Sequence, residues 1–365
     1  MTFLKDIIFR LEEFAPLSIQ EDYDNCGLIL GDKNQQVNRI LACLDCTEKT
    51  VDEAIAKNCE LILCHHPIIF KGLKKITNSD SVGRTLMKAM RHNISIYASH
   101  TNLDKVPGGV NFKIAEKIGL KNVEILAKES GKLSKLVVFV PVEFSNKVTS
   151  AMFDAGAGKI GNYSECSFQL QGIGTFTPNE KANPTIGRKL IPESVDEVRI
   201  EVMLPDHKIN EVIKAMKSAH PYEEVAFYLQ KIENENQEIG LGVFGEFENE
   251  ITEDELICLI KKVFKTPFVK HTQKTNKHLK TMALCGGSGS SLLNHAISKQ
   301  VDCFLTSDTK YHDFFNVEDR LLYIDIGHFE TEQFTIEIFC AVLSNYFPNI
   351  AVILTETVTN PVNYA

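Results

Sequence analysis

Apolar and polar positions in the first third of the chain fall into two alternating textures. Continuous apolar runs, RILACLDC, ELILCHH and ISIYASH, are separated by amphipathic stretches, TVDEAIAKN, VGRTLMKAMRHN and VNFKIAEKIG, whose apolar residues recur at helical spacing. Unbroken apolar strands imply a sheet covered on both faces, and helices of about a dozen residues supply the cover, so the pattern predicts an α/β layer architecture. The same alternation returns late in the chain as TMALCGG, SSLLNHAISKQ, VDCFLTSD, RLLYIDIG, HFETEQFTIEIFCAVLSNYF and NIAVIL.

Between these halves, from Ser134 to Lys231, the order becomes strand (KLVVFVPV), helix (NKVTSAMFDAG), a Gly-rich hairpin-like region (GAGKIGNYSECSFQLQGIGTF), strand (EVRIEVML), helix (KINEVIKAMKSAH) and strand (EVAFYLQKI). That is the make-up of a compact α+β unit. Polar stretches flank it, KESGKLS before and ENENQE after, as expected where few tertiary contacts cross a boundary. The predicted organisation is an α/β domain in two segments, 1–130 and 234–365, split by an inserted domain at 131–233.

Composition agrees with two cores. At 365 residues, 44% hydrophobic and 24% charged, the chain has ample apolar material for more than one domain and none of the bias of a disordered or fibrous protein. Its formal charge of -9, with no basic patch, disfavours nucleic acid as a partner. The opening MTFLKDIIFRLEEFAPL interleaves charges with apolar residues, unlike a secretory signal or a membrane span, and no later stretch is long enough to span. With 10 scattered cysteines and no export signal, reduced thiols in a cytoplasmic protein are the expectation. Cys43 and Cys46 form a C-x-x-C late in an apparent strand, not at the helix N-terminus that a redox pair uses to stabilise its thiolate.

Histidine carries the candidate chemistry. Cys64-His65-His66-Pro67 ends one apolar strand, and because Pro67 cannot continue the ladder, both imidazoles are expected on the loop that leaves the sheet. His100-Thr-Asn-Leu-Asp104 follows a second strand, and Gly327-His328-Phe-Glu-Thr-Glu332 a third. His328 and Glu332 stand four apart at the start of a helical pattern, so they share one face a turn apart. In an open α/β sheet the ligand crevice lies beyond the carboxyl ends of the strands, which is where all three clusters fall. His65, His66, His328, Asp104 and Glu332, with His100 beside them, are too many donors for one tetrahedral ion. They suit two divalent ions roughly 3.5–4 Å apart.

Two further segments point to the same edge. Gly286-Gly-Ser-Gly-Ser-Ser291 is either a structural turn or a loop whose amides, around Gly287, Ser288, Gly289 and Ser290, receive an anion such as phosphate. Thr306-Ser-Asp308-Thr-Lys-Tyr-His312 brings Asp308, either a helix N-cap or a site residue, and His312, a candidate general acid or base. Glu21-Asp-Tyr-Asp-Asn25-Cys-Gly27 reads as a capping turn able to line the crevice mouth. In the insert, Ala155–Gly161 reads as a tight turn, and His220-Pro-Tyr-Glu-Glu224 as a loop at the domain interface.

Taken in order, EDYDNCGLILG at 21–31, CHHP at 64–67, HTNLD at 100–104, GGSGSS at 286–291, TSDTKYHD at 306–313 and GHFETE at 327–332 resemble the NGG-interacting-factor-like family, whose bacterial members are catalogued as GTP cyclohydrolase 1 type 2 homologues. The resemblance spans essentially the whole chain, since AGAGKIGNYSECSF and HPYEEVAFYLQ resemble the insert of the longer bacterial members. It implies mixed sheets covered by helices, with a ferredoxin-like insert similar to P-II and CutA domains. It also implies a dinuclear site on His65, His66, Asp104, His328 and Glu332, zinc first among the metals with manganese, iron or nickel as alternatives, in a toroidal homohexamer. Tyr23 stands where the family pattern usually has tryptophan, and Ser307 where it usually has glycine. Two functions follow: metal-dependent hydrolysis of a nucleotide-like substrate, with His100 or His312 moving protons and Gly287–Ser290 and Asp308 near the substrate, or a metal-handling or regulatory hexamer with a ligand-sensing insert.

Overall fold

The computed structural model describes residues 1–363, and the chain divides into two compact units. One comprises Met1–Ala127 and the segment from Ile239 onward; the other is Lys128–Glu238.

In the first unit, one sheet has the strand order Gly27–Leu30, Ser95–Ala98, Leu61–His66, Arg39–Asp45 and Ala351–Leu354. Its neighbours run parallel except the outer strand Gly27–Leu30. The apolar runs are continuous because each strand serves two cores. Ile40, Ala42, Leu61, Leu63 and Tyr97 point into one, and Leu41, Cys43, Ile62, Cys64 and Ile96 into the other, as the two-residue period of a strand requires. Cys43 and Cys46 are buried and unpaired, and burial pushes the Cys46 thiol up to about 12, so neither has thiolate character.

A second sheet orders Lys270–His271, Leu322–Asp325, Cys303–Ser307, His278–Ser288, Asn236–Thr252 and Lys121–Glu129, with the three strands from Leu322 to Ser288 parallel. Met282, Leu284, Leu305 and Ile324 join the same core as Ile40 and Leu61, so one face of each sheet contributes to a single interior. The helices Leu4–Phe14, Val110–Ile118, Glu253–Phe264 and Thr335–Tyr346 add their apolar stripes to it. Two of these strands differ from the sequence reading. Lys121–Glu129 and Asn236–Thr252 run into the polar stretches KESGKLS and ENENQE that were expected to flank the insert, because a strand end rich in charged residues reads as a linker. No helix among the described residues is long and apolar enough to cross a membrane.

The second unit runs strand, helix, strand, strand, helix, strand. Its antiparallel sheet is ordered Phe168–Phe176, Glu193–Pro205, Leu133–Pro141 and Phe227–Ile232. The helices Ser145–Asp154 and Ile209–Ala219 pack Val148, Met152, Val212 and Met216 against Val138, Val140, Val198 and Ile200. The Gly-rich region is not itself a hairpin. Its first part closes in a tight turn with an Ile160–Tyr163 bridge, and only Phe168–Phe176 is a strand, paired with Glu193–Pro205.

The end of the chain is fastened through one carboxylate. Glu53 accepts hydrogen bonds from Thr355 Oγ1 (2.6 Å), Glu356 N (2.8 Å), Thr357 N (3.1 Å) and Lys57 Nζ (2.8 Å). Two residues on, Thr359 Oγ1 donates to Asp45 Oδ2 at 2.5 Å. Burial raises the Glu53 carboxyl, but these donors outweigh it and hold it at about 2 against an ordinary 4.5. A folded-state value below the ordinary one means the fastening is complete above about pH 4.5 and released as pH falls towards 2. Protection of the Glu356 and Thr357 amides from hydrogen exchange, measured against the intrinsic rate at each pH, is expected to fall across that window, and Glu53→Gln to produce the loosened state at neutral pH with a loss of about 1–3 kcal/mol in stability.

Candidate metal centre

The imidazoles converge where the carboxyl ends of strands from both sheets meet. His65 and His66 are the last two residues of the strand Leu61–His66, and not part of the loop beyond it; His66 is still in register with Asp45 on the neighbouring strand. His65 is fully buried and His66 half-buried, yet their rings lie 5.0 Å apart. His100 and Asp104 come from the short helical turn after Ser95–Ala98, and His328 and Glu332 form the five-residue helix after Leu322–Asp325, in the second sheet. The three clusters therefore face one another across two sheet edges.

Each imidazole is held from behind. Nδ1 donates to Ser99 O in His65 (2.8 Å), to Asp45 Oδ1 in His66 (2.7 Å), to Asp24 Oδ1 in His100 (2.9 Å) and to Asp308 Oδ2 in His328 (2.6 Å). Because every partner is an oxygen acceptor, each Nδ1 carries its proton and each ring offers Nε2 to the centre, as metal-ligating histidines do. Glu332, 3% exposed, receives them: its Oε2 lies 2.9 Å from His66 Nε2, 2.9 Å from His328 Nε2 and 3.9 Å from His65 Nε2. The one-turn spacing of His328 and Glu332 thus brings both to one point. Two sets of ligand atoms lie within 4.8 Å of one another, His65 with His66 and His100, and His66 with His328 and Glu332.

The electrostatics call for a cation. Burial raises the Glu332 carboxyl, but His328, His65 and His66 more than offset it and hold it well below the carboxylate range. Asp104 is pushed up, chiefly by burial and also by the charge of Glu332, against the pull of His65. His66 Nε2 and His328 Nε2 face each other at 3.3 Å, an opposition of lone pairs unless a proton or a metal stands between. Burial works to lower both rings, yet the surrounding carboxylates raise His66 to about 10 and His328 to about 9. His65 Nε2 and Asp104 Oδ1, 3.7 Å apart, are buried with no hydrogen-bond partner. Nitrogen and carboxylate donors in this proportion fit a transition metal better than calcium or magnesium.

The family described as Duf34/NIF3 (NGG1p interacting factor 3) matches residues 2–361. The chain belongs to this family. A curated Duf34/NIF3 relative, the "GTP cyclohydrolase 1 type 2 homolog" of Halalkalibacterium halodurans, is 40% identical over 324 residues, covering 88% of this chain and 87% of its own. The protein of that name from Staphylococcus aureus strain COL is 34% identical over 366 residues, 99% of each chain. Among solved structures, a Bacillus cereus protein related to NIF3 superposes with a TM-score of 0.86 at 35% identity, over 100% of this chain and 99% of that one.

The other residues singled out in the sequence take different places. Gly287 and Ser288 belong to the strand His278–Ser288. The amides of Gly286, Gly287 and Gly289 donate to Asn111 Oδ1, Thr331 Oγ1 and Thr306 Oγ1, so these three are not free to cradle a phosphate. Gly287 has φ +60°, and a Cβ there would stand 2.3 Å from Glu332 Oε1; the missing side chain is what lets the carboxylate sit against the strand. The Ser290 hydroxyl accepts from Tyr323. Ser307 is buried and donates to Gly287 O at 2.6 Å. Asp308 is not an N-cap; its Oδ2 is the acceptor behind His328, and its side chain stays 48% exposed. His312 is exposed, packs on Tyr311 and Phe315, and belongs to neither set of ligand atoms. The sequence reading missed Asp24 and Asp45 as supports. Asp24 also accepts from Thr101 N at 3.0 Å, and these donors hold its carboxyl well below the usual range against its burial. An acid near a strand end is too common to stand out; only the contact with an imidazole marks it.

Asp308→Ala, at an exposed position, is expected to weaken metal retention about tenfold or more while leaving the melting temperature of metal-stripped protein unchanged. Gly287→Ala should lower metal content while its far-ultraviolet circular dichroism stays as it is; elemental analysis after dialysis against a chelator reads both.

Proposed function

We propose that the centre holds two divalent metal ions, zinc in the first place and manganese, iron or nickel otherwise, and that the protein is a metal-dependent hydrolase of a nucleotide-like substrate. The observation that carries this reading is the pair His65 Nε2 and Asp104 Oδ1, buried without a partner in a nest of imidazole and carboxylate donors. Two overlapping ligand sets sharing His66 support two ions over one. Such ions, when bound, polarise the bond under attack and make water acidic enough to act as a nucleophile near neutral pH.

The chain's own residues supply the rest. His65, His66, Asp104, His328 and Glu332 would hold the ions, and Asp104 and Glu332, with two oxygens each, are the ones able to reach both. His100 stands at the edge of the cluster with its Nδ1 proton on Asp24; Nε2 is free to take a proton, and Asp24 would steady the resulting charge. The substrate class rests on the name the curated relatives carry, which points to GTP. The insert's strand order, with its first strand between its third and fourth, supports a ferredoxin-like domain. Ten unpaired cysteines support a cytoplasmic setting, and the family resemblance supports a homohexamer.

One observation favours a second reading, a metal-handling protein: His312 is in neither ligand set, which leaves His100, itself a member of one set, to move protons. Protein loaded in turn with zinc, manganese, iron and nickel and offered a panel of nucleotides is expected to hydrolyse at least one. His65→Ala and Glu332→Ala should abolish that turnover with the fold intact. Metal retained with no turnover across the panel would leave the metal-handling reading in place, and light scattering would report whether the particle has six times the mass of the chain.

A further inference from the structure

The insert contains a cavity of about 880 Å³, within the size range of small-molecule sites. It arises from the period of the strands. Val138, Val140, Val198 and Ile200 face the two helices, so Phe139 and Glu197, one residue out of phase, fall on the sheet's opposite face. The connection from Thr177 to Pro192 folds over that face and is fastened to the His220–Glu224 segment: Asn183 N donates to Glu223 Oε1 (2.7 Å), and Thr185 Oγ1 to Pro221 O (2.8 Å). His220 lies within the insert's own packing, its Nε2–H donating to Phe139 O (2.9 Å) and its Nδ1 accepting from Tyr222 N (3.1 Å). The His-Pro-Tyr-Glu-Glu motif is thus a wall of this cavity.

What the cavity presents is specific. Glu197 is only 8% exposed, and no lysine or arginine among the described residues pairs with it. Beside it the Tyr222 hydroxyl is shut from solvent without a hydrogen bond of regular geometry; burial first, and then the Glu197 charge, push its ionisation up. Aromatic rings surround the pair: Phe176 lies 5.9 Å from Tyr222, and Phe139 5.7 Å from Tyr228. The charged lining residues are Glu197, Glu223, Glu224 and a single lysine, Lys181. A carboxylate of such low exposure, with no cation paired to it and aromatic faces nearby, is suited to a positively charged ligand that donates hydrogen bonds and rests on the rings.

We propose that this cavity binds a small organic cation, an amine or guanidinium compound with an apolar body, its charged end on Glu197 and its body against Phe139, Phe176 and Tyr228. All the residues that line it belong to the insert.

Full-length protein titrated calorimetrically with benzylamine and agmatine tests this, with benzyl alcohol and benzoate as the neutral and anionic counterparts. At least one amine is expected to saturate one site per chain, binding tenfold or more tighter than either counterpart. Glu197→Gln should weaken it at least tenfold, and Tyr228→Ala, at a side chain 60% exposed and outside the insert's core, should weaken it without loss of fold. Glu332→Ala should leave it unchanged. The proposal fails if neither amine saturates by about 10 mM, if benzoate binds as well, or if folded Glu197→Gln binds undiminished. It also fails if Glu332→Ala removes amine binding, which would move the amine to the metal centre without touching the reading of that centre.

Discussion

The centre depends on what happens behind its imidazoles. Four rings cluster, three of them around a nearly buried glutamate, and the chain fixes the direction of each by giving its Nδ1 an oxygen acceptor: one backbone carbonyl and three carboxylates. Without those acceptors a ring could turn or change tautomer, and the inward nitrogen would cease to be a lone pair. With them, several electron-rich atoms are held together in a space poor in water, an arrangement that a cation relieves. The supports come from separate parts of the chain: Asp24 from a polar turn, Asp45 from a strand end, Asp308 from a loop.

Both sheets position this centre, and for the same reason. Parallel strands buried on both faces end in unison, and the residue after the last ladder pair is released at the carboxyl edge. Glu332 is brought to the centre by its short helix but accommodated by the other strand end, where Gly287 leaves the space it fills. The distant end of the chain is tied in as well. Thr359 holds the second oxygen of Asp45, whose first orients His66, and Asn360 donates to Glu330, two residues from Glu332.

The insert shows a different use of strand alternation. One side of its sheet forms a regular core with two helices. On the other, a long connection stands in for a second layer, and a loop cannot fill space as densely as a helix, so a cavity remains. Glu197 sits there in place of the exposed polar residue that a half-covered sheet would carry.

Much of this was legible in the sequence, because it is local. The alternation of apolar runs and amphipathic stretches named strands and helices of the first unit, and four-residue spacing put His328 and Glu332 together. Where the reading failed, partners distant in the chain decided. Gly287 and Ser288 look like an anion loop until Thr331 and Asn111 take the neighbouring amides, and Asp308 looks like a cap until His328 is found against it. Lys128 and Glu129 look like the start of a linker until a sheet edge is there to receive them. The sequence by itself determined which residue types stand at the strand ends, since periodicity and chain stiffness act within a few residues. Only the tertiary structure decided that two sheets meet there, which nitrogen each imidazole turns inward, and which carboxylates support the rings, because hydrogen bonds between segments 20 to 76 residues apart leave no periodic trace.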